Sequence, residues 1–314
     1  MKLSNDTGQR HKVKVDLIAV VTAAMDNHPV VLTIRQGSAL PSGPFELGHR
    51  SMQAGVRDWV EQQTGHPLGY IEQLYTFADR DRIAGGEAHR AISISYLGLT
   101  REDRSAGQPQ RDWRNWYGYF PWEDHRGAPP AVIAETILPR LEEWIEDAGA
   151  AARTERRHRA ALAFGLDGRP WNEELVLQRY ELLFEVGLVA EALRGGENLS
   201  AAPVTAREMV TDHRRILATG IARLRTKIKY RPVVFELMPP TFTLLQLQHT
   251  VEALAGRLVH KQNFRRLIEQ QELVEETGAT SAETGGRPAK LFRFRSAVLM
   301  ERTGAGTKLP VMRA

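Results

Sequence analysis

The feature that most constrains the fold is a C-terminal run of two short helical patterns followed by a hairpin pattern. Thr243 is a suitable N-cap for a first helix, and Gly256 is placed to end it. A second helix is predicted from about Lys261 to Gln271. Two β-prone arms, at 273–276 and 290–295, then flank a polar, glycine-rich tip. Helix, turn, helix and hairpin in this order indicate a winged helix.

The second predicted helix has one apolar side, formed by Phe264, Leu267 and Ile268, and polar residues around the rest. Arginine can pair with guanine, asparagine with adenine and lysine with phosphate, so these residue types suit the major groove of DNA. Cationic residues in the hairpin stand beside glycines that let the backbone approach a phosphate. The alternative is a winged helix used only for packing or protein contact. The predicted DNA-contacting residues are Lys261, Gln262, Asn263, Arg265, Arg266, Arg287 and Lys290.

The first hundred residues alternate between strand and helix patterns. β-prone runs at 17–22 and 30–34 are followed by a Gly/Pro-rich loop and then by a helix from Ser51 to Thr64, which Gly65 closes. Two further strand patterns follow, at 70–77 and 90–99. This order predicts an α/β domain.

The middle of the chain changes character. Residues 101–128 are aromatic-rich and irregular, and helical patterns follow, including one at 172–187 with Asn172 and Gly187 as its expected caps. The helix predicted at 212–230 combines an apolar stripe with many cations. It either lies on a membrane or nucleic acid, or it is a solvated helix packed on its stripe. Its cations are Arg214, Arg215, Arg223, Arg225, Lys227 and Lys229.

Composition places limits on these possibilities. The 314 residues suffice for two or three domains, and the net charge of +4 is only a weak indication of polyanion binding. No cysteine is present, which excludes disulfides and thiolate metal sites and fits a reducing cytoplasm. No stretch approaches the roughly 18 to 20 apolar residues of a membrane span, and the polar N-terminus lacks the apolar core of a signal peptide. We therefore expect a cytoplasmic protein with no membrane partner.

Several segments together resemble one family. "RDWVEQQTG", "YIEQLYTFADRDR" and "RAISISYLGL" look like the Nudix half of NrtR-type transcriptional regulators of bacteria, which fuse a Nudix-like domain to a C-terminal winged helix. "DHRRILATGIARLRTKIKYRPVVFELMPPTFTLLQLQ" resembles their linker helix and first winged-helix segment, and "VHKQNFRRLI" with "GGRPAKLFRF" resembles their recognition helix and wing. The resemblance implies an α/β/α Nudix-like sandwich with a helical insertion, plus the winged helix. The region 101–207 is longer than its equivalent in compact members.

The expected domains are a Nudix-like effector domain at 1–210 (with 101–207 as its irregular and helical extension), a linker helix at 211–232, a winged helix at 233–300 and a tail at 301–314. The family resemblance implies a homodimeric repressor of NAD-metabolism genes that binds double-stranded operator DNA and senses ADP-ribose or a related nucleotide. No other cofactor is expected.

A working Nudix box has a Glu after the Gly-rich loop and then an Arg-Glu pair and a Glu-Glu pair on the helix, whose carboxylates hold the metal. Counting from Gly43 places His49 on the first Glu, Arg57 and Asp58 on the Arg-Glu pair, and Glu61 and Gln62 on the Glu-Glu pair. Counting back from Gly65 instead places Asp58 on the Arg, Trp59 on the Glu, and Gln62 and Gln63 on the Glu-Glu pair. Either register predicts a poor metal site, with Asp58 and Glu61 as weak ligands.

We therefore expect no catalysis and a cleft that binds its nucleotide, with arginines for the phosphates and aromatic rings for the base. The ordinary alternative is that the aromatics belong to the core and the arginines to the surface. Two other functions remain open: a metal-dependent ADP-ribose pyrophosphatase with an accessory DNA-binding domain, and a scaffold with a vestigial pocket. The predicted effector-binding residues are Arg35 on the second strand, Tyr75 and Phe77 on the third, Arg82 in the following loop and Arg90 at the start of the fourth.

Overall fold

The computed structural model describes residues 13–78, 90–101, 112–194, 203–230, 233–281 and 288–295. Two structural units are present in these ranges: a body built around a mixed six-stranded sheet, and a C-terminal unit with a two-stranded sheet. Within the described residues, no helix is both long enough and apolar enough to cross a membrane.

The long first strand organises the body. It pairs in parallel with β5 and antiparallel with both β2 and β3, and the full order of the sheet is β4-β5-β1-β2-β6 with β3 beside β1. The predicted strands are confirmed, although β2 ends before Thr33. The strands are β1 (Val13–Met25), β2 (His28–Leu32), β3 (Ser42–Pro44), β4 (Tyr70–Phe77), β5 (Arg90–Leu99) and β6 (Trp113–Asn115).

The two faces of the sheet are covered by different helices because side chains alternate along each strand. Leu17, Ala19 and Val21 of β1 join a core cluster with Val56 and Val60 of helix α1 (Met52–Thr64). The intervening residues of β1, Ile18 and Val20, pack instead in a larger core cluster with helix α6 (His213–Tyr230). The body is therefore an α/β/α sandwich.

The aromatic-rich segment before the helical region is part of the core. Five of its side chains are almost fully buried, and they pack in the cluster that also contains α6. A π-helical turn at Ile133–Ile137 leads into α2 (Leu138–Glu146), and α3 to α5 follow. The buried aromatic residues are Trp116, Tyr117, Tyr119, Phe120 and Trp122. The later helices are α3 (Ala150–Phe164), α4 (Val176–Glu185) and α5 (Ala190–Leu193).

The prediction that Asn172 caps its helix is wrong. Helix α4 begins at Val176 after Leu175, which makes no side-chain cap. The Asn172 side chain instead accepts a hydrogen bond from the Glu174 backbone at 3.0 Å, so it stabilises the turn that precedes the helix. Gly187 does follow the helix end in a left-handed conformation, with φ of 77°, as a C-terminal glycine should.

The expected packing of helix α6 on its apolar stripe is confirmed, but its cationic side is neither a free basic surface nor mostly solvated. Arg214 and Arg225 are buried, and they pair with Glu191 and Glu123. Arg215, Lys227 and Lys229 also pair with carboxylates, and Arg223 is the exposed member of the set. Most of the helix's charge is therefore neutralised inside the protein.

The C-terminal unit is the predicted winged helix. Its first helix, α7 (Leu244–Ala255), opens with a capping box in which Thr243 and Gln246 bond each other's backbone N–H groups, and Gly256 ends it in a left-handed conformation. Helix α8 (Lys261–Gln270) follows, and then the hairpin of β7 (Val274–Ser281) and β8 (Ala289–Phe294). The first arm of this hairpin extends five residues beyond the predicted end at Glu276.

Candidate functional site

Helix α1 carries the positions where a Nudix enzyme would bind its metal. The Ser51 side chain caps its start by accepting from Ala54 N at 3.1 Å, and Gly65 ends it with φ of 71°. Arg57 donates to the backbone oxygens of Leu68 and Gly69, so it braces the loop after the helix rather than an acidic residue.

The residues of the first register, counted from Gly43, form no metal-binding group in the described part of the chain. The His49 side chain accepts from Glu46 N at 3.0 Å, and its ring lies between Phe45 and Trp59, with ring centroids 5.9 and 6.0 Å away. Asp58 and Glu61 are exposed. An aromatic cluster therefore occupies the place where the first carboxylate is needed.

In the second register of the box, counted back from Gly65, the matching positions hold neutral residues that lie against the glycine-containing strand β3. Trp59 covers Gly43 so closely that an added Cβ would lie 2.3 Å from the indole, and its Nε1 donates to Pro44 O at 3.0 Å. The Gln63 amide donates to Ser42 O at 2.8 Å and accepts from Ser42 N at 3.0 Å. These side chains bind the protein's own backbone and supply no negative charge.

The donor set does not fit a magnesium or manganese ion. Such hard cations need several charged oxygens held together. Across the described part of the chain, no group of three or more His, Cys, Asp or Glu residues is arranged to hold a metal. Asp58 and Glu61 alone are insufficient.

The predicted effector-binding residues do not all meet. Tyr75 and Phe77 lie together on β4 with ring centroids 5.0 Å apart, but Phe77 is buried under the Arg215 guanidinium, whereas Tyr75 is 59 % exposed. Arg35 follows β2, and two strands, β5 and β1, separate β2 from β4 in the sheet. Arg82 lies outside the described residues, and Arg90 is described only as the first residue of β5.

The prediction that Arg35 lies on the second strand is wrong. It lies in a short 3-10 turn after β2, is exposed, and adopts a left-handed φ of 51°. His213 at the start of α6 is close by and accepts from Leu40 N at 2.9 Å. Burial, with a contribution from the Arg35 charge, lowers the pKa of His213 to about 4, so this side chain is neutral at physiological pH.

Helix α8 presents its polar side chains to solvent. Phe264 and Ile268 are buried against the rest of the winged helix. The five predicted DNA-contacting residues of this helix are all exposed, and none of them forms an ion pair with a described residue. These residues are Lys261, Gln262, Asn263, Arg265 and Arg266.

The wing has less uncompensated charge than α8. Lys290 pairs with Glu276 at 2.8 Å, and Arg293 pairs with Glu275 at 2.7 Å. Arg287 lies outside the described residues. The uncompensated cations described in the winged helix are therefore concentrated on α8.

Sequence reasoning missed the junction between the body and the winged helix. Near the C-terminus of α7, where backbone oxygens have no partner within the helix, donors come from the body. Tyr117 Oη donates to Ala253 O at 2.7 Å, Arg225 Nε to Leu254 O at 2.9 Å, and His125 N to Gly256 O at 2.7 Å. We call this set of contacts the dock.

A buried ionic cluster supports the dock. Glu123 accepts from Arg179 at 2.5 and 2.9 Å and from Arg225 at 2.6 Å, and all three side chains are buried. Burial alone would raise the pKa of Glu123, but the two guanidinium groups outweigh it and hold that pKa below its ordinary value. The one sequence signal was a Glu within the aromatic run "YFPWED", which demands a buried cationic partner.

Comparison with known proteins agrees with this architecture. The NrtR DNA-binding winged helix domain family matches residues 234–294. A curated relative from Acinetobacter baylyi, named ADPR responsive transcriptional repressor NtrR, is 39 % identical over 87 residues, which are 28 % of this chain and 34 % of the relative. The match thus spans about a third of that relative's length.

Two solved structures share the fold over nearly the whole chain. Shewanella oneidensis NrtR, solved with a 27mer DNA, aligns with a TM-score of 0.52 at 19 % identity over 93 % of this chain and 98 % of its own. A MutT/nudix family protein from Enterococcus faecalis aligns with a TM-score of 0.52 at 15 % identity over 94 % of this chain and 90 % of its own. The predicted fold, a Nudix-like sandwich with a helical insertion and a C-terminal winged helix, is confirmed, as is the resemblance to NrtR-type regulators.

Proposed function

We propose that this NrtR-like protein is a transcriptional repressor that binds operator DNA through α8 and responds to ADP-ribose or a related nucleotide in its Nudix-like body. The observation that carries the proposal is a winged helix with five exposed polar or cationic residues on α8 and no described ion pair among them. The name of the Acinetobacter relative supports repression and an ADP-ribose response. Genes of NAD metabolism are the proposed targets.

Charge distribution supports α8 as the DNA-contacting element. Helix α6 is also rich in cations, but most of them form ion pairs with carboxylates inside the protein. Lys261, Arg265 and Arg266 are instead exposed and available to contact DNA. Free cations on a groove-sized helix release counterions from DNA and can read base edges. We therefore place the sequence-reading contacts on this helix.

A gel shift on the DNA upstream of the protein's own gene tests this assignment. The double variant Arg265→Ala, Arg266→Ala should bind at least about thirtyfold more weakly at moderate salt, because each lost contact costs about 1 to 3 kcal/mol. The matched control is Arg140→Ala, Arg157→Ala, which removes two solvent-accessible cations from the helical extension. Equal weakening by both pairs would mean that α8 is not the recognition helix.

We further propose that the body binds its nucleotide without hydrolysing it. Trp59 and Gln63 hold the backbone of β3 where a hydrolase needs carboxylates, and the donor set does not fit a magnesium ion. Calorimetry should give the same ADP-ribose affinity in Mg²⁺ and in EDTA. Turnover of ADP-ribose with Mg²⁺ at an ordinary enzymatic rate would favour the alternative, an ADP-ribose pyrophosphatase with an accessory DNA-binding domain.

Within the body, Tyr75 is the predicted effector residue best placed to stack on a base. It is the exposed member of the Tyr75–Phe77 pair, so its ring face is accessible. Tyr75→Ala should weaken ADP-ribose binding about tenfold, which corresponds to about 1.4 kcal/mol, whereas Tyr75→Phe should keep the affinity. The contributions of Arg35, Arg82 and Arg90 remain predictions for the same assay. Complete absence of nucleotide binding would indicate a vestigial pocket.

Three further properties belong to this proposal. The protein acts as a homodimer, because two linked winged helices can read two half-sites, and light scattering measures this directly. It is cytoplasmic, which its lack of cysteine supports. The division into an effector domain (1–210), a linker helix (211–232), a winged helix (233–300) and a tail (301–314) is kept as a proposal.

A further inference from the structure

A cleft of about 520 Å³ lies at the junction of the body and the winged helix. One wall comes from the β1–β2 turn and the segment after the aromatic run, and the other comes from α7 and the residues that follow it. A volume of this size accommodates a small organic molecule. The residues used below are Asn27, Asp124, Arg126, His249, Glu252 and Leu258.

The winged-helix wall carries a carboxylate that forms no ion pair with a described residue, although the Arg126 guanidinium of the other wall acts on it electrostatically. Glu252 is 6 % exposed, and its Oε1 accepts from Gln248 Nε2 at 2.9 Å and from Val259 N at 3.0 Å. No described residue donates to Oε2, and no described Lys or Arg forms an ion pair with Glu252. A buried carboxylate is costly to leave without a countercharge, so an incoming cation would gain a strong interaction there.

The cation on the opposite wall is already engaged. Arg126 donates to Asp124 at 2.9 and 2.8 Å through Nε and Nη2, and to Asn27 O at 2.7 Å through Nη1. Asp124 and Arg126 pair with each other, so the three charged residues of the lining, Asp124, Arg126 and Glu252, together carry one net negative charge. The field in the cleft favours a cationic ligand over an anionic one.

Four apolar residues of the lining can cover a flat or compact hydrocarbon body, beside the polar Asn27 and His249. Pro121, Ala128 and Pro130 contribute from the body, and Leu258, which is 60 % exposed, contributes from the winged helix. An apolar patch beside a small number of placed polar and charged groups is a usual composition of a small-molecule site.

We propose that this cleft is a second ligand site, for a small organic cation whose ammonium or amidinium group pairs with Glu252 and whose apolar body lies between the proline-lined wall and Leu258. The site is separate from the proposed nucleotide site around β4. Its position gives it a direct influence on the dock, since Asp124 and Arg126 flank His125, whose N–H donates to Gly256 O.

Calorimetry on the full chain with three probes of matched shape tests the proposal. Benzamidine, which carries an amidinium group, should bind saturably with one site per chain. Benzamide, its neutral counterpart, should bind at least about tenfold more weakly, and benzoate should give no saturable heat, because only the cation gains a charge-assisted bond with Glu252.

Variants locate the site. Glu252→Gln should remove the preference for benzamidine over benzamide, and Ala128→Trp, which fills the cleft from the exposed body wall, should abolish binding of both. Glu143→Gln, an exposed carboxylate of the helical extension, is the matched control and should leave the preference intact.

Two results would overturn the proposal: no saturable benzamidine binding, or binding that survives Ala128→Trp with its preference for the cation unchanged. Ala128→Trp still tests the proposal if Glu252→Gln disturbs folding, because residue 128 lies outside α7. Gel shifts and ADP-ribose titrations on the same variants score the proposed function separately, so that failure of one proposal does not count against the other.

Discussion

At the scale of single residues, Gly256 lies where the winged helix packs against the body so closely that a side chain has no space. Its φ of +72° disfavours any side chain, and an added Cβ would lie 2.4 Å from Glu123 O and 2.7 Å from Arg225 Nη2. We expect Gly256→Ala to lower the free energy of unfolding by about 2 to 4 kcal/mol, which urea denaturation measures.

The matched control is Gly168→Ala. Gly168 has nearly the same φ, +76°, but an added Cβ there would meet nothing within 4 Å. Its substitution should cost only the conformational penalty of about 1 kcal/mol. Equal losses in the two variants would show that the close approach at Gly256 contributes nothing.

His213 makes stability depend on pH. Its pKa is about 4 in the folded protein and 6.5 for the free side chain, so the unfolded chain binds more protons between these values. The contribution of the neutral His213 side chain to the free energy of unfolding is therefore fully present above pH 6.5 and is lost as the pH falls towards 4. His213→Gln, which keeps an acceptor for Leu40 N, should reduce the loss of unfolding free energy between pH 7 and pH 5 by about 2 kcal/mol. An unchanged pH profile would contradict the buried neutral imidazole.

At the scale of secondary-structure elements, local signals were sufficient for some helices and insufficient for others. Thr243 and Gly256 bounded α7 correctly because capping depends on adjacent residues. Helix α6 was located correctly but its environment was not, because the carboxylates that neutralise Arg214 and Arg225 come from Glu191 and Glu123, the latter 102 residues away. A single sequence shows the charge on a helix but not which distant residue will neutralise it.

The same limit applies to the candidate site. The identities of Trp59 and Gln63 already predicted a poor metal site, since neither is a charged oxygen ligand. Their hydrogen bonds to Pro44 and Ser42 could not be predicted from the sequence, because these bonds depend on how closely β3 approaches α1. The exposure of Tyr75 could not be predicted either, because β4 shifts register between Gln73 and Thr76 and so breaks the simple alternation of a strand.

The ionic cluster under the dock joins three elements, and Glu123 is its only carboxylate with contacts to both Arg179 and Arg225 among the described residues. Glu123→Gln would leave two buried guanidinium groups without their countercharge. We expect a loss of about 3 to 5 kcal/mol in the free energy of unfolding, measured by urea denaturation. Glu142→Gln, which breaks an exposed pair with Arg157, should cost less than about 1 kcal/mol. A loss as small as this control's would mean that the cluster is held by packing alone.

At the scale of the whole molecule, the dock determines how a signal could travel. The winged helix is bound to the body through the backbone oxygens of Ala253, Leu254 and Gly256 as well as by the chain connection after α6. On the β4 side, Lys227 of α6 bonds Glu72, and Arg215 lies over Phe77 at 4.9 Å. One continuous helix thus contacts both the predicted effector strand and the winged helix, so a change at β4 has a short physical path to α8.

If the proposed function holds, this path predicts a measurable coupling. ADP-ribose should change the affinity for operator DNA by some factor, and by thermodynamic linkage DNA should change the affinity for ADP-ribose by the same factor. Gly256→Ala should bring that factor close to one, because a strained dock no longer ties the orientation of the winged helix to the body. Gly168→Ala should leave it unchanged, and both variants should still bind each ligand alone. Calorimetric ADP-ribose titrations with and without operator DNA measure the factor directly. A factor that persists in Gly256→Ala would place the signal's route through the chain connection after α6 instead of the dock.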